Sequence, residues 1–137
     1  LPGPMFNVVN GGKHADSGLD VQEFMVVPTE APSFHEALRA GAEIYQVLKK
    51  KLTAMKMTTA VGDEGGFAPK LKTHAEVLEV LSATISDAGY QGKVYLALDC
   101  AASEYYKGGQ YVLEGKSLTS SQIAETERRK LENQNYQ

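Results

Sequence analysis

Two short apolar runs near the start of the chain predict two β-strands that follow each other without a helix between them. The first run covers residues 5–10 and ends at Gly11, and the second covers residues 20–27 and ends before Pro28. Glycine and proline interrupt strands, so both runs have clear ends. Side chains alternate between the two faces of a strand, which places Glu23 among apolar neighbours in the second run.

Two later segments carry apolar residues at helical spacing, and each begins with the spacing of a capping box. Ser33 and Glu36 open the first segment, and Thr73 and Glu76 open the second. Gly89 is a natural end for the second helix. The first predicted stripe consists of Phe34, Leu38, Gly41, Ile44, Tyr45, Leu48 and Leu52. The second predicted stripe consists of Val77, Leu78, Leu81, Ile85 and Ala88.

A third strand is predicted at residues 94–100, with Asp99 near its C-terminal end. Strands that alternate with helices of this length indicate an α/β domain. Thr119 and Gln122 can cap one more helix, but residues 125–137 show no apolar stripe. We interpret this last segment as a frayed polar helix or a disordered tail.

Composition and charge narrow the range of functions. The chain has 137 residues, of which 14 are basic and 17 acidic, and its net charge is -3. Nucleic acids and anionic membranes require a concentrated basic face on their partners, so neither is expected to bind this chain. The basic cluster at residues 49–51 falls within a predicted helix and is expected to face water.

Three sequence features indicate the cellular location of the protein. Cys100 is the single cysteine and cannot form an internal disulfide. No run of about 20 apolar residues is present, and the first residues lack the basic and apolar regions of a signal peptide. A cytoplasmic location is therefore expected. The chain begins with Leu1 rather than methionine, which suggests an excised or processed segment.

Three acids and one histidine are candidates for chemistry, and each has a structural alternative. Glu64 lies between glycines, where the backbone can approach a ligand, although the pattern alone favours a turn role for Asp63 or Glu64. Glu23 can face a site or, on an edge strand, water. Asp99 ends an apolar strand, where active sites form in α/β folds, or it caps the following segment. His14, taken alone, fits a surface histidine.

If these four side chains lie close together in the folded chain, they can form a metal-assisted acid–base site. A carboxylate at a strand end suits Mg²⁺, which prefers hard oxygen ligands. Two further carboxylates would then serve general acid–base catalysis. Composition and periodicity do not establish that the four residues converge.

Five segments, taken in order, resemble the enolase family. They are Gly-Pro-Met-Phe-Asn-Val-Val-Asn-Gly-Gly-Lys-His-Ala-Asp at 3–16, Asp-Val-Gln-Glu-Phe-Met at 20–25, the helical segment at 31–43, Thr-Ala-Val-Gly-Asp-Glu-Gly-Gly-Phe-Ala-Pro at 59–69, and Leu-Ala-Leu-Asp-Cys-Ala-Ala-Ser-Glu at 96–104. An unrelated metal-binding α/β module would require all five matches to be accidental.

The resemblance implies a role for each candidate residue. Glu64 resembles the general acid that helps hydroxide leave from the third carbon of 2-phosphoglycerate. Glu23 resembles the second carboxylate near that hydroxyl and a substrate contact. His14 resembles the mobile-loop histidine that closes over the substrate, and Asp99 resembles one of three carboxylates that hold Mg²⁺. In enolase-superfamily sites, Mg²⁺ stabilises the ene-diolate that forms when a base removes a proton.

The resemblance also implies a partial TIM-like barrel. Residues 1–124 correspond to the first part of the family's C-terminal barrel domain, and residues 125–137 form a polar tail that departs from the family. The base lysine, the other two metal carboxylates and the phosphate-binding arginine and serine have no counterpart in this sequence. We therefore expect that this chain alone does not catalyse the reaction.

Two functions follow as alternatives. The first is a segment of phosphopyruvate hydratase, whose parent binds 2-phosphoglycerate and phosphoenolpyruvate and, as the family does, forms a homodimer. The second is a non-catalytic, truncated enolase-derived protein that binds a partner or another copy of itself. A longer parent with the remaining motifs would favour the first, and a discrete product of this length in cells would favour the second.

Overall fold

The computed structural model describes residues 2–135, apart from the side chains of His14 and Asn135. The elements in chain order are β1 (Phe6–Asn10), a 3-10 helix (Gly12–His14), β2 (Glu23–Val27), α1 (Phe34–Ala54), α2 (His74–Asp87), β3 (Tyr95–Asp99), a second 3-10 helix (Ala102–Tyr105), β4 (Tyr106–Lys107), β5 (Gln110–Leu113), β6 (Lys116–Leu118) and α3 (Ser120–Asn135). The predicted α/β organisation is confirmed, as is the start with two strands and no α-helix between them.

The first three strands form one antiparallel sheet in the order β1–β2–β3. Val26 of β2 lies opposite Phe6 of β1 and Leu96 of β3, which defines the register on both sides. The register shifts once within β1, between Asn7 and Val9. At one end of this sheet, the last residue of β1, the first of β2 and the last of β3 lie side by side.

Strand β2 begins at Glu23, three residues later than the apolar pattern predicted. The backbone N–H groups of Asp20 and Val21 donate to Nε2 of His74, at 3.1 and 3.3 Å, instead of to a neighbouring strand. A buried imidazole acceptor therefore replaces the first ladder bonds, and the strand starts only beyond it.

The capping residues predicted for α1 and α2 are confirmed. The hydroxyl of Ser33 accepts from the backbone N–H of Glu36 at 3.2 Å, and the hydroxyl of Thr73 accepts from that of Glu76 at 3.2 Å. Gly89 follows the end of α2 with a φ of +80°, the left-handed conformation that ends many helices. Local sequence therefore decides where these helices begin and where α2 ends.

The core lies between one face of the first sheet and the helices α1 and α2. Phe24 and Val26 of β2 are completely buried, together with Ile44 and Leu48 of α1. Full burial of such side chains contributes about 1.5–3 kcal/mol each. Because side chains alternate along a strand, Glu23 lies on the opposite face of the sheet, away from the helices.

The predicted stripe of α1 is wrong at its first turn, since Phe34 and Leu38 are 47% and 49% exposed. The ring of Phe6 explains the difference, because an ideal Cβ at Gly41 would lie 2.7 Å from it. Helix and strand approach closely here, and only small side chains fit between them. The buried positions of α1 are Ala37, Ala40, Gly41, Ile44, Leu48 and Leu52.

The strands β4, β5 and β6 form a second antiparallel sheet that the sequence analysis did not predict. They contain two to four residues each, which is too short for an alternating pattern to stand out. Their turns contain Gly108, Gly109 and Gly115, all with positive φ, and Glu114 with a φ of +49°. These glycines were the available signal, since turns of this kind require left-handed residues.

Helix α3 continues through the segment for which the sequence offered a frayed helix or a disordered tail. The helix is present up to Asn135, and residues 136–137 lie outside the described part. Ile123 and Glu127 are buried, and Leu131 packs against the core. The carboxylate of Glu127 occupies one of the buried positions of α3, so the sequence of this helix shows no apolar stripe. Within the described residues, none of the helices is both long and apolar enough to cross a membrane.

Candidate active site

Three polar side chains form a row across the first sheet. Asn10 of β1 lies opposite Glu23 of β2, and Glu23 lies opposite Asp99 of β3. Residues that face each other on antiparallel strands project to the same side, with Cβ atoms about 5 Å apart. The fold therefore brings two of the predicted acids, Glu23 and Asp99, to the same end of one sheet face.

Asp99 is exposed at the end of β3, and its Oδ1 accepts from the backbone N–H of Ala101 at 3.0 Å. Ala101 has a φ of +43°, a left-handed conformation that is uncommon outside glycine. The chain turns sharply here, directly after the carboxylate. Asp99 does cap the following segment, as one of its two interpretations predicted, and its carboxylate is still accessible to solvent.

Glu64 is exposed in a tight loop that is attached to β1. The N–H of Gly62 donates to the carbonyl of Gly66 at 2.8 Å and closes the turn around it. The carbonyl of Phe67 accepts from the N–H of Asn10 at 2.9 Å. Since Asn10 is the first member of the polar row, the loop with Glu64 lies beside the same end of the sheet. The turn is therefore present, and its loop is bonded to the residue of β1 that begins the polar row.

Helix α1 holds this loop through an aromatic side chain. The hydroxyl of Tyr45 donates to the carbonyl of Gly65 at 2.8 Å. Its ring stacks on Phe67, with 4.3 Å between the ring centroids and 15° between the planes. Burial raises the pKa of the Tyr45 hydroxyl, so it remains a donor at neutral pH. A helix and a strand thus both fix the position of the Glu64 loop.

The segment that carries His14 leaves β1 through a very close backbone approach. An ideal Cβ at Gly11 would lie 2.2 Å from the carbonyl oxygen of Val21, so only glycine fits. The 3-10 helix Gly12–His14 follows immediately. The side chain of His14 lies outside the described part of the structure, and its role stays a prediction.

A cavity of about 370 Å³ lies beside this segment. Lys13, Asp16 and Asp20 line it, together with Glu104 and Tyr105 from the 3-10 helix after β3. Lys13 forms an ion pair with Glu104. The segment after β1 is thereby tied to the segment after β3, and both belong to the end of the sheet that carries the polar row.

Two asparagines of β1 form a feature that sequence reasoning missed. The side-chain amides of Asn7 and Asn10 are buried, and none of their polar atoms has a hydrogen-bond partner among the described residues. Asparagine is disfavoured in strands, so two of them within a five-residue strand were a usable signal.

A second missed feature is a polar cluster around His74, which is 1% exposed at the start of α2. Because its Nε2 accepts two backbone N–H groups, its proton lies on Nδ1. Nδ1 is 3.5 Å from Oε1 of Glu114, and that oxygen also accepts from the His74 N–H at 2.8 Å. Lys130 of α3 lies 3.4 Å from Glu114 and 3.3 Å from Glu127. The N–H of Glu114 donates to Asp20 at 2.6 Å.

The charges in this cluster follow from burial. Burial lowers the pKa of His74, with the charge of Glu114 opposing and that of Lys130 assisting, so the imidazole is neutral at pH 7. Burial also raises the pKa of Glu127, although Lys130 opposes this. For Glu114, burial acts to raise the pKa, but the hydrogen bond from the backbone N–H of His74 and the charge of Lys130 lower it overall. No sequence pattern signalled this cluster, because its members come from segments far apart in the chain.

The described residues do not form a complete metal site. Among residues 2–135, no group of three or more His, Cys, Asp or Glu side chains is placed to hold a metal ion. Asp99, with Glu23 opposite, offers the oxygen chemistry that Mg²⁺ prefers, but Mg²⁺ needs six ligands in near-octahedral geometry. These residues therefore fit only part of a magnesium site.

Comparison with known proteins shows the family of this chain. The family described as "Enolase, C-terminal TIM barrel domain" matches residues 1–136. The chain belongs to the enolase family. A curated relative, named "Enolase", from Elusimicrobium minutum (strain Pei191), is 54% identical over 123 residues. This match covers 90% of the present chain, and the chain spans only 29% of the relative.

Membership in the enolase family confirms the fold that the five segments implied. The first sheet and its helices belong to a TIM barrel domain of the enolase type, of which this chain contains the first strands and helices. The roles of Glu64, Glu23, His14 and Asp99 are not tested by the comparisons and stay predictions. The predicted boundary after residue 124 stays a prediction as well.

Proposed function

We propose that this chain supplies part of the active site of a phosphopyruvate hydratase, the glycolytic lyase that converts 2-phosphoglycerate into phosphoenolpyruvate and water with Mg²⁺. The observation that carries the proposal is the row formed by Glu23 and Asp99, with the Glu64 loop attached beside it. These are three of the four residues whose roles the family resemblance implies.

In the proposed reaction, the proton on the second carbon of the substrate leaves to a base, and the hydroxyl on the third carbon leaves as water. Glu64 holds the proton that this hydroxyl needs in order to leave. Glu23 contacts the same hydroxyl and orients it. His14, from the segment after β1, closes over the substrate and excludes solvent.

Asp99 would provide one ligand to Mg²⁺. When bound, the metal supplies positive charge against the negative charge that builds up on the substrate carboxylate. The described residues offer only part of the ligand set, so the remaining carboxylates have to come from other parts of an enolase.

A segment exchange tests the proposal. The matching segment of the Elusimicrobium minutum enolase is replaced by this chain, and phosphoenolpyruvate formation from 2-phosphoglycerate is followed by absorbance. We expect the hybrid to turn over substrate and Glu64→Gln to lower its kcat by about 10²- to 10⁴-fold, the usual contribution of general acid catalysis. The adjacent Asp63→Asn is the matched control and should change kcat little. A folded hybrid without activity, or a Glu64→Gln hybrid as active as its parent, would reject the proposal.

The 137-residue chain by itself is proposed to be inactive. The base lysine, two metal carboxylates and the phosphate-binding arginine and serine that the resemblance implies have no counterpart in it. The test is phosphoenolpyruvate formation by the purified chain, with circular dichroism to verify folding and Glu64→Gln as control. Turnover that disappears in this control would show that the reaction needs none of those residues.

Self-association is the alternative function, and the first sheet offers one observation in its favour. Within the described residues, β3 is at the edge of this sheet and pairs only with β2. A strand at the edge of a sheet can pair with a strand of another chain. Sedimentation analysis of the purified chain over a range of concentrations distinguishes a monomer from a self-associating species. For the parent enzyme, family membership supports a cytoplasmic homodimer.

A further inference from the structure

The side chain of Asn10 has an unusual position within the candidate site. Asn10 is completely buried, and neither its Oδ1 nor its Nδ2 has a hydrogen-bond partner among the described residues. A buried amide without partners costs stability, and an apolar side chain of the same size would avoid that cost. Groups that are unfavourable for stability concentrate at functional sites, so the amide calls for a functional explanation.

The amide lies directly against the Glu64 loop. An ideal Cβ at Gly66 would lie 2.0 Å from Oδ1 of Asn10 and 2.9 Å from Oδ1 of Asn7. The two amides therefore occupy the space into which a side chain at residue 66 would project. Since Gly66 follows Glu64 by only two residues, the size of the Asn10 side chain determines how closely this loop approaches β1.

The backbone of the same residue joins the loop to the sheet. The N–H of Asn10 donates to the carbonyl of Phe67, and the N–H of Phe67 donates to the carbonyl of Val8, both at 2.9 Å. On its other side, Asn10 faces Glu23 across the β1–β2 pair. Asn10 thus contacts the segment of one proposed catalytic acid and lies opposite the other.

We propose that Asn10 is a positioning residue, whose carboxamide sets the place of the Glu64 loop relative to Glu23. The inference rests on the proposed function, because it is these two carboxylates that must act on one substrate hydroxyl. A displacement of about 1 Å at a site of this kind can cost 10²-fold in rate, so a spacer of defined size matters.

The first test uses the active hybrid and the variant Asn10→Ala, with Asn133→Ala as the control at an exposed position of α3. We expect Asn10→Ala to lower kcat by about 10-fold or more with little change in KM, because the shorter side chain no longer holds the Glu64 loop in place. The thermal unfolding midpoint should change little, since the loss of packing is offset by removal of a buried amide without partners. Unchanged kcat in Asn10→Ala, or a loss of kcat explained by unfolding, would overturn the inference.

The second test needs no turnover and uses the 137-residue chain. Gly66→Ala should lower the thermal unfolding midpoint because its Cβ meets the Asn10 amide, and the double variant Asn10→Ala/Gly66→Ala should recover most of that loss. If Asn10→Ala brings no recovery, the amide does not determine the loop position and the inference fails. An inactive hybrid combined with recovery in the double variant would count against the proposed function but support the placement of the loop by Asn10.

Discussion

Glu23 and Asp99 lie directly opposite each other on two antiparallel strands, although 75 residues of sequence separate them. Their carboxylates project from the same face of the sheet, and this face points away from the helices. Two carboxylates on one face at the end of a sheet are typical of a metal or acid–base site. The relationship gives the family resemblance a geometric basis.

Asp99→Asn tests the proposed metal ligand. The amide oxygen can still accept from the N–H of Ala101, so the turn after β3 should remain intact. We expect the Mg²⁺ concentration for half-maximal activity of the hybrid to rise by about 10- to 100-fold or more, since even indirect partners of a metal contribute that much. Asp87→Asn, at an exposed position at the end of α2, is the matched control. An unchanged Mg²⁺ dependence would remove Asp99 from the proposed ligand set.

Gly11→Ala tests the close approach that leads from β1 into the His14 segment. The new Cβ would lie 2.2 Å from the carbonyl oxygen of Val21 and 2.8 Å from Cβ of Leu19, and backbone atoms cannot move aside cheaply. We expect a loss of about 1–3 kcal/mol in the free energy of unfolding, the usual cost of overpacking. Gly3→Ala, which meets nothing within 4 Å, should be neutral. Urea denaturation measures the free energy of unfolding of both variants. Equal stability of the two variants would contradict the close approach of Gly11 to Val21.

The buried imidazole of His74 predicts a loss of stability in acid. Its pKa is lowered by burial from the ordinary value of 6.5, so the unfolded chain takes up a proton at a higher pH than the folded chain does. The stabilising contribution is therefore complete above about pH 6.5 and is lost as the pH falls towards the lower folded pKa. Protonation of Nε2 would also break the bonds from the N–H groups of Asp20 and Val21.

His74→Gln separates this effect from other titrations. The glutamine oxygen can accept the same backbone donors but does not titrate. The neighbouring groups Asp20, Glu114, Glu127 and Lys130 remain in both proteins, so the difference between the two pH profiles isolates the imidazole. As the pH is lowered from about 8 to about 5, the urea midpoint should fall more steeply for the unmodified chain than for His74→Gln. Parallel profiles would show that His74 is not the group responsible.

Two cations of α3 should differ strongly in their contribution to stability. Lys130 is 15% exposed and pairs with Glu114 and with the buried Glu127, whereas Arg128 is 54% exposed and pairs with exposed glutamates. Lys130→Met leaves a buried carboxylate without its cation and should cost about 1–3 kcal/mol. Arg128→Met should cost no more than about 1 kcal/mol, as is usual for surface ion pairs. Chemical denaturation of both variants measures the loss in free energy of unfolding. Equal losses would contradict the burial of the Lys130 ion pairs.

Local sequence determined much of this fold, because the signals act over a few residues. Ser33 and Thr73 cap α1 and α2, and Gly89 follows the end of α2, as their local patterns predicted. The three apolar strands and their lack of an intervening helix at the start were also predictable. The short strands β4–β6 were not, since strands of this length carry no periodic signal and form only when their turns allow it.

The sequence by itself therefore determined the helices α1 and α2, the strands β1–β3, the α/β class and the family, and it named the candidate acids. Only the tertiary structure decided that Asn10, Glu23 and Asp99 form one row, since strand register depends on pairings between distant segments. The same holds for the buried cluster of His74, Glu114 and Lys130, whose burial depends on how α2, the second sheet and α3 pack together. Periodicity reports which face of an element is apolar, whereas the contacts between polar groups depend on which faces meet.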